Sequence, residues 1–252
     1  MRKNIFVSDL IFFNDTKEVA LKFIKDNNLK NIEFFLEPKD LIQMEKVNFI
    51  LKNNKFKKIS FHGPYRYFNI DCEENQWNNF KLFFVESLIF AKKSRGEFIV
   101  LHTNETLTKN TSKEIIEKHI DELILLGKEL GIKILIENVG VGGNMLYSQK
   151  EFEHLVLSKN FEVLIDIGHL LANKWNFEEL LKNLKDSIVA YHIHSNDGER
   201  DSHETIFKNQ LNGEQILKYI FKETPRAKLV LEYSPITEKR ILLEDLKKIE
   251  EM

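Results

Sequence analysis

Leu164-Ile165-Asp166-Ile167-Gly168-His169 is a short apolar run broken by a carboxylate and followed, three residues later, by an imidazole. A buried strand has no packing reason to end in a charge. One instance means little, but this chain repeats the plan. Ile59-Ser60-Phe61-His62, Ile99-Val100-Leu101-His102, Leu135-Ile136-Glu137, Tyr191-His192-Ile193-His194 and Leu229-Val230-Leu231-Glu232 all end in a ligand-type side chain. Six of the eight histidines stand at or just beyond such ends, whereas His119 and His154 fall on polar helical stretches.

Between these runs lie stretches with apolar residues at helical spacing. Strands are predicted over 4–8, 31–37, 58–63, 97–102, 133–138, 162–167, 188–194 and 228–233. Helices are predicted over 16–28, 39–53, 74–94, 111–130, 148–159, 176–186, 212–223 and 238–250. Asp15-Thr16, Thr111-Ser112 and Ser148 offer N-caps, and Gly131 follows the fourth helix where a C-cap belongs. Strict alternation implies a parallel sheet with right-handed crossovers. At 252 residues the economical solution is an α/β fold of the (β/α)8 TIM-barrel kind, one domain over 1–252. An open doubly wound sheet would call for a glycine-rich phosphate loop after the first strand, and Val7 to Phe13 contains no glycine.

Hydrophobic residues make up 42% and charged residues 30% of the chain, which suits a packed core. A net charge of −2 argues against binding nucleic acid through overall charge. The single cysteine, Cys72, excludes an intrachain disulfide and a cysteine-rich zinc site, and predicts a reducing, cytoplasmic location. No apolar run is long enough to span a membrane.

In a TIM barrel the active site lies at the C-terminal ends of the strands. His62, His102, Glu137, Asp166, His194 and Glu232 end strands three to eight, with His169 just beyond the sixth and Asp201 and His203 in the loop after the seventh. Strand alternation puts His192 on the same face as His194, one layer deeper. Gathering so many charged groups near one axis is costly without a cation. Nine candidate ligands exceed the roughly three that a catalytic zinc takes from protein. The reading is therefore a centre of two or three divalent metal ions, with carboxylates such as Glu137 shared between them. Tyr65, Arg66 and Tyr67 are placed to contact a phosphate or sugar or to pack their own loop. The glycine-rich 140–144 segment reads as a plain loop, and Cys72 as inert.

His62-Gly63-Pro64-Tyr65, the segment from Ile136 to Asn144, Asp166 to His169, His194 to Asp197, Asp201 to Glu204 and Leu231 to Pro235 resemble the motifs of endonuclease IV. The wider group is the xylose isomerase-like TIM barrels, which also holds sugar-phosphate isomerases and epimerases. The resemblance runs from about residue 58 to 235. It implies three zinc ions on His62, His102, Glu137, Asp166, His169, His194, Asp201, His203 and Glu232. Single-metal isomerases of the group imply a shorter set, Glu137, Asp166, His194 and Glu232. Two departures from the endonuclease stand out. Phe6-Val7-Ser8-Asp9-Leu10 replaces its first-strand motif, and the acidic Ile32 to Asp40 replaces its arginine-bearing DNA loop.

The expected function is thus a metal-dependent phosphoester hydrolase resembling a DNA-repair endonuclease, on abasic DNA or a smaller phosphodiester. Glu137 and Glu232 are the catalytic carboxylates, and Tyr65, Arg66 and His192 contact substrate. The alternative is a sugar or sugar-phosphate isomerase or epimerase using one manganese, cobalt or other divalent ion, with Glu137 and Glu232 moving a proton on carbon.

Overall fold

The computed structural model describes residues 4–103, 111–198, 200–208 and 212–252. Eight parallel strands close into a barrel in chain order. They are β1 (Ile5–Ser8), β2 (Asn31–Phe35), β3 (Lys58–His62), β4 (Phe98–Leu101), β5 (Lys133–Glu137), β6 (Val163–Asp166), β7 (Ile188–Ile193) and β8 (Lys228–Leu231). Each predicted strand is present and is shorter than expected by one or two residues. The helices are α1 (Lys17–Asp26), α2 (Leu41–Asn53), α3 (Glu74–Lys93), α4 (Lys113–Leu130), α5 (Gln149–Lys159), α6 (Ile167–Ala172), α7 (Phe177–Leu184), α8 (Gly213–Glu223) and α9 (Lys239–Glu251).

The expected caps are in place. Thr16 Oγ1 accepts the Val19 amide at 3.3 Å, and Ser112 Oγ that of Ile115 at 3.3 Å. Gly131 ends α4 with a left-handed φ of 66°, the conformation that a Cβ disfavours. The additional helix is α6. Asp166 ends β6 and at once caps α6, its Oδ1 accepting the His169 amide at 2.7 Å. Sequence periodicity carried the strand on through Ile167 and left His169 in a loop; the aspartate cap overrides that apolar continuation, and His169 lies on α6.

Close contacts divide the chain into two compact units, residues 15–137 and residues 1–14 with 138–252. In the first, β2 to β5 pair in parallel, α1 packs on α2 and α3 on α4. Phe61 and His62 show how one strand serves two purposes. Phe61 is fully buried and meets Phe90 of α3 edge-on at 5.8 Å, while the next residue, His62, faces the other way. Trp77 lies flat on His119, with ring centres 3.9 Å apart. His119 is thus a fully buried residue, not part of a polar surface as its neighbours in sequence suggest. In the second unit β6, β7, β8 and β1 pair in parallel and α5 packs on α7. Tyr191 of β7 points toward α8, where its hydroxyl meets Thr224 Oγ1 at 2.9 Å, so His192 and His194 share the opposite face. Among the described residues no helix is long and apolar enough to cross a membrane.

Phe61→Ala removes a fully buried ring that packs away from the ligand side. A loss of about 3–5 kcal/mol of unfolding free energy is expected, measured by urea denaturation of the metal-free protein.

Candidate metal centre

In the unit formed by residues 1–14 and 138–252, three strands deliver ligand atoms to one place. Asp166 ends β6, His194 directly follows β7, and Glu232 directly follows β8. All three are buried, and each offers a ligand atom within 4.8 Å of the other two. His194 Nε2 is 2.9 Å from Asp166 Oδ2. One layer deeper, His192 is fully buried, and its Nδ1 lies 3.2 Å from Glu232 Oε2 and 3.7 Å from Asp166 Oδ2.

Asp166 is held at every polar atom. Its amide donates to Asn138 Oδ1 at 2.7 Å, and its carbonyl accepts from Asn138 Nδ2 at 3.1 Å. The asparagine side chain thus behaves like one residue of a neighbouring strand, at the point where strand pairing stops. Asn138 also supplies a backbone carbonyl, which accepts from His169 Nδ1 at 3.1 Å. That fixes the proton on Nδ1 and turns Nε2 toward Asp201 Oδ2, 3.1 Å away. In the sequence Asn138 is one residue of the segment from Ile136 to Asn144, with no role marked for it. Its alternation with Glu137 on a strand end was the available signal.

Asp201 and His203 meet this group from the β7–α8 connection. Asp201 Oδ2 accepts from His203 Nε2 at 3.0 Å, and Asp201 Oδ1 lies 3.8 Å from His194 Nε2. The His194 and His203 rings stack with centres 4.1 Å apart. His194, Asp201 and His203 form a second group whose ligand atoms lie within 4.8 Å of one another. Burial pushes the Asp201 carboxyl up, but hydrogen bonds from His169 and His203 overcome it and hold the group well below the usual carboxylate range. For His203, burial favours the neutral ring; the Asp201 hydrogen bond and the charges of Glu232, Asp201 and Asp166 outweigh it and raise the pKa to about 9. His203 has a left-handed φ of 46°, a rare conformation for a residue with a Cβ.

In the unit of residues 15–137, β3, β4 and β5 bring His62, His102 and Glu137 together, again within 4.8 Å. His62 Nε2 is 3.6 Å from Glu137 Oε2, and its Nδ1 donates to the Gly63 carbonyl at 2.8 Å. Phe35 stacks on the His62 ring at 4.3 Å. Tyr65 sets its ring 5.5 Å from His62 and 5.8 Å from His102. Arg66 turns aside to Asp40, 3.3 Å away. The amides of Tyr65 and Arg66 both donate to Glu37 Oε1 at 3.0 Å. The acidic second-strand segment therefore grips the loop after β3, a role for Glu37 that its sequence position did not announce. Glu33, also fully buried, accepts from Ser60 Oγ at 3.0 Å.

The described residues thus include groups of imidazoles and carboxylates with the composition of divalent transition-metal sites. The profile of the family described as "Xylose isomerase-like TIM barrel" matches residues 17–252. The chain belongs to that family. An uncharacterized protein of Methanocaldococcus jannaschii, MJ1614, is 26% identical over 249 residues, covering 96% of this chain and 98% of that protein. Among solved structures, a D-tagatose 3-epimerase-like protein superposes with a TM-score of 0.79 at 20% identity, covering 100% of this chain and 99% of the other. The IolI protein, solved with a bound zinc atom, gives 0.71 at 17% identity, covering 99% and 96%. These neighbours share the barrel. They do not single out endonuclease IV within the family, so the resemblance stands at the level of the family.

Gly168 allows His194 its place. A Cβ at this position would come within 1.9 Å of His194 Cε1, and the ring is buried and fixed at Asp166. Gly168→Ala is expected to displace His194 and weaken zinc binding by about tenfold or more, read by isothermal titration. A pH effect follows from His203. Its folded pKa of about 9 lies above the unfolded value of about 6.5, so its stabilising contribution is complete below the latter and lost as pH rises through the former. In EDTA the urea midpoint should fall between about pH 6.5 and 9.5, and fall less in His203→Ala.

Proposed function

We propose that this chain is a metal-dependent isomerase or epimerase acting on a small sugar or sugar phosphate, with Asp166, His194 and Glu232 as ligands of the divalent ion. The observation that carries the reading is the buried group these three residues form, two carboxylates and one imidazole within 4.8 Å. The single-ion pattern of the superfamily, read on the sequence, adds Glu137 to them. The acidic 32–40 segment supports a small substrate. Its Glu37 and Asp40 engage the Tyr65–Arg66 loop, and Arg66 is paired with Asp40. Duplex DNA calls for free cationic side chains.

A bound ion would supply polarisation of the carbonyl and hydroxyl oxygens of a sugar, which acidifies the neighbouring C–H. The protein's own part is proton transfer. Glu232, ordered from below by His192, and Glu137 are the two carboxylates proposed to take a proton from carbon and return it. Returned to the adjacent carbon it isomerises the sugar, and returned to the opposite face it epimerises it. His169, oriented by Asn138, is proposed to hold a substrate hydroxyl. Tyr65, whose ring lies beside His62 and His102, is proposed to contact substrate.

A second reading, hydrolysis of a phosphoester by two or three zinc ions, is favoured by Asp201. Its Oδ2 lies 3.1 Å from His169 and 3.0 Å from His203, as a ligand set for an additional ion would require. The His62, His102 and Glu137 group fits the same reading.

Metal analysis with assays on ketoses and on a model phosphodiester decides between them. The isomerase reading expects one tightly held ion and ketose interconversion without hydrolysis. Two or three zinc ions together with phosphodiester cleavage would replace it with the hydrolase. Glu137→Gln keeps the shape but removes the base, and at least about a hundredfold loss of turnover is expected.

A further inference from the structure

Tyr233 follows Glu232 directly and is fully buried, yet it carries a hydroxyl. That hydroxyl donates to Asp245 Oδ2 of α9 at 2.8 Å and accepts the backbone amide of Ile206 at 3.2 Å. Ile206 lies three residues beyond His203. The next residue, Phe207, has Lys248 of α9 over its ring, 3.7 Å from the centre. Asp245 and Lys248 are one helical turn apart and so share a face of α9. This face reaches the β7–α8 connection twice, once through Tyr233 and once directly.

Other contacts complete the hold on residues 200–208. Ser195 and Glu204 exchange two backbone hydrogen bonds of 2.8 Å, forming an isolated antiparallel bridge. The Ser234 amide donates to the His203 carbonyl at 2.8 Å, and the His203 Nδ1 donates to the Glu232 carbonyl at 3.1 Å. Gly213 opens α8 so close to Ile206 that a Cβ would lie 2.2 Å from its carbonyl oxygen. The Tyr233 hydroxyl joins the connection to α9 by hydrogen bonds, beside the direct contact of Lys248 with Phe207.

We infer that Tyr233 is a positioning residue of the metal centre. Braced by Asp245, it fixes the Ile206 amide, and thereby keeps Asp201 against His169 and His203 in its left-handed conformation and stacked on His194. The affinity of the centre for its ion is set in part from α9, on the outer layer of the fold. The inference rests on the reading of these residues as metal ligands.

The test uses Tyr233→Phe, Asp245→Ala and Asp245→Asn in the full chain, with two measurements. The first is amide hydrogen exchange of the metal-free protein. The second is zinc affinity, with the visible spectrum of the cobalt-loaded protein as a report on ligand geometry. Tyr233→Phe and Asp245→Ala should speed exchange within residues 200–208 selectively, weaken zinc by about tenfold and alter the cobalt spectrum. Asp245→Asn keeps an acceptor for the Tyr233 hydroxyl and should recover most of the affinity. Unchanged exchange in 200–208, or faster exchange spread evenly over the protein with unchanged zinc affinity, would overturn the inference. Should the wild type bind no divalent ion, the metal reading falls, and the exchange measurement still decides whether Tyr233 holds the connection.

Discussion

Asp166 has two carboxylate oxygens and both are committed. One caps α6 by accepting the His169 amide, and the other faces His194. Its backbone is gripped by a single asparagine side chain. A fully buried carboxylate must be satisfied this completely or it would be protonated or expelled. Everything else in this half of the chain is arranged around that requirement. α6 exists because the aspartate caps it, His169 is aimed because α6 begins where it does, and His194 keeps its position because residue 168 has no side chain.

Imidazoles of the candidate groups in both compact units follow the same economy, spending one nitrogen on a fixed partner. His169 donates to a carbonyl of Asn138, His203 to that of Glu232, and His62 to that of Gly63 while stacking on Phe35. Such partners set the tautomer and raise the basicity of the nitrogen left free. They also keep the geometry ready before an ion arrives, which reduces the ordering cost of binding one.

Much of this was legible in the sequence. Short apolar runs ending in His, Asp or Glu located β3 to β8 to within a residue or two at either end, and named side chains that the fold does place at strand ends. The legible part depends on strand alternation, a strictly local rule. What stayed hidden depends on tertiary contacts or on a local competition between signals. α6 was masked because Ile167 continued the apolar run past the cap. His119 stood among charged helical residues, and only the folded chain puts it under Trp77. Glu37 gave no sign that it would collect two amides from a loop 28 and 29 residues away. Nothing in the sequence marks Tyr233, because its two partners lie 27 positions before it and 12 after it.

The stacking of Trp77 on His119 has a practical side. The chain has two tryptophans, and the compact units hold one each: Trp77 lies in residues 15–137, and Trp175 in the other unit, 5.8 Å from Phe152. Trp77 is wholly screened from water and Trp175 only partly. Each unit therefore holds its own indole in its own surroundings, an intrinsic probe that needs no dye.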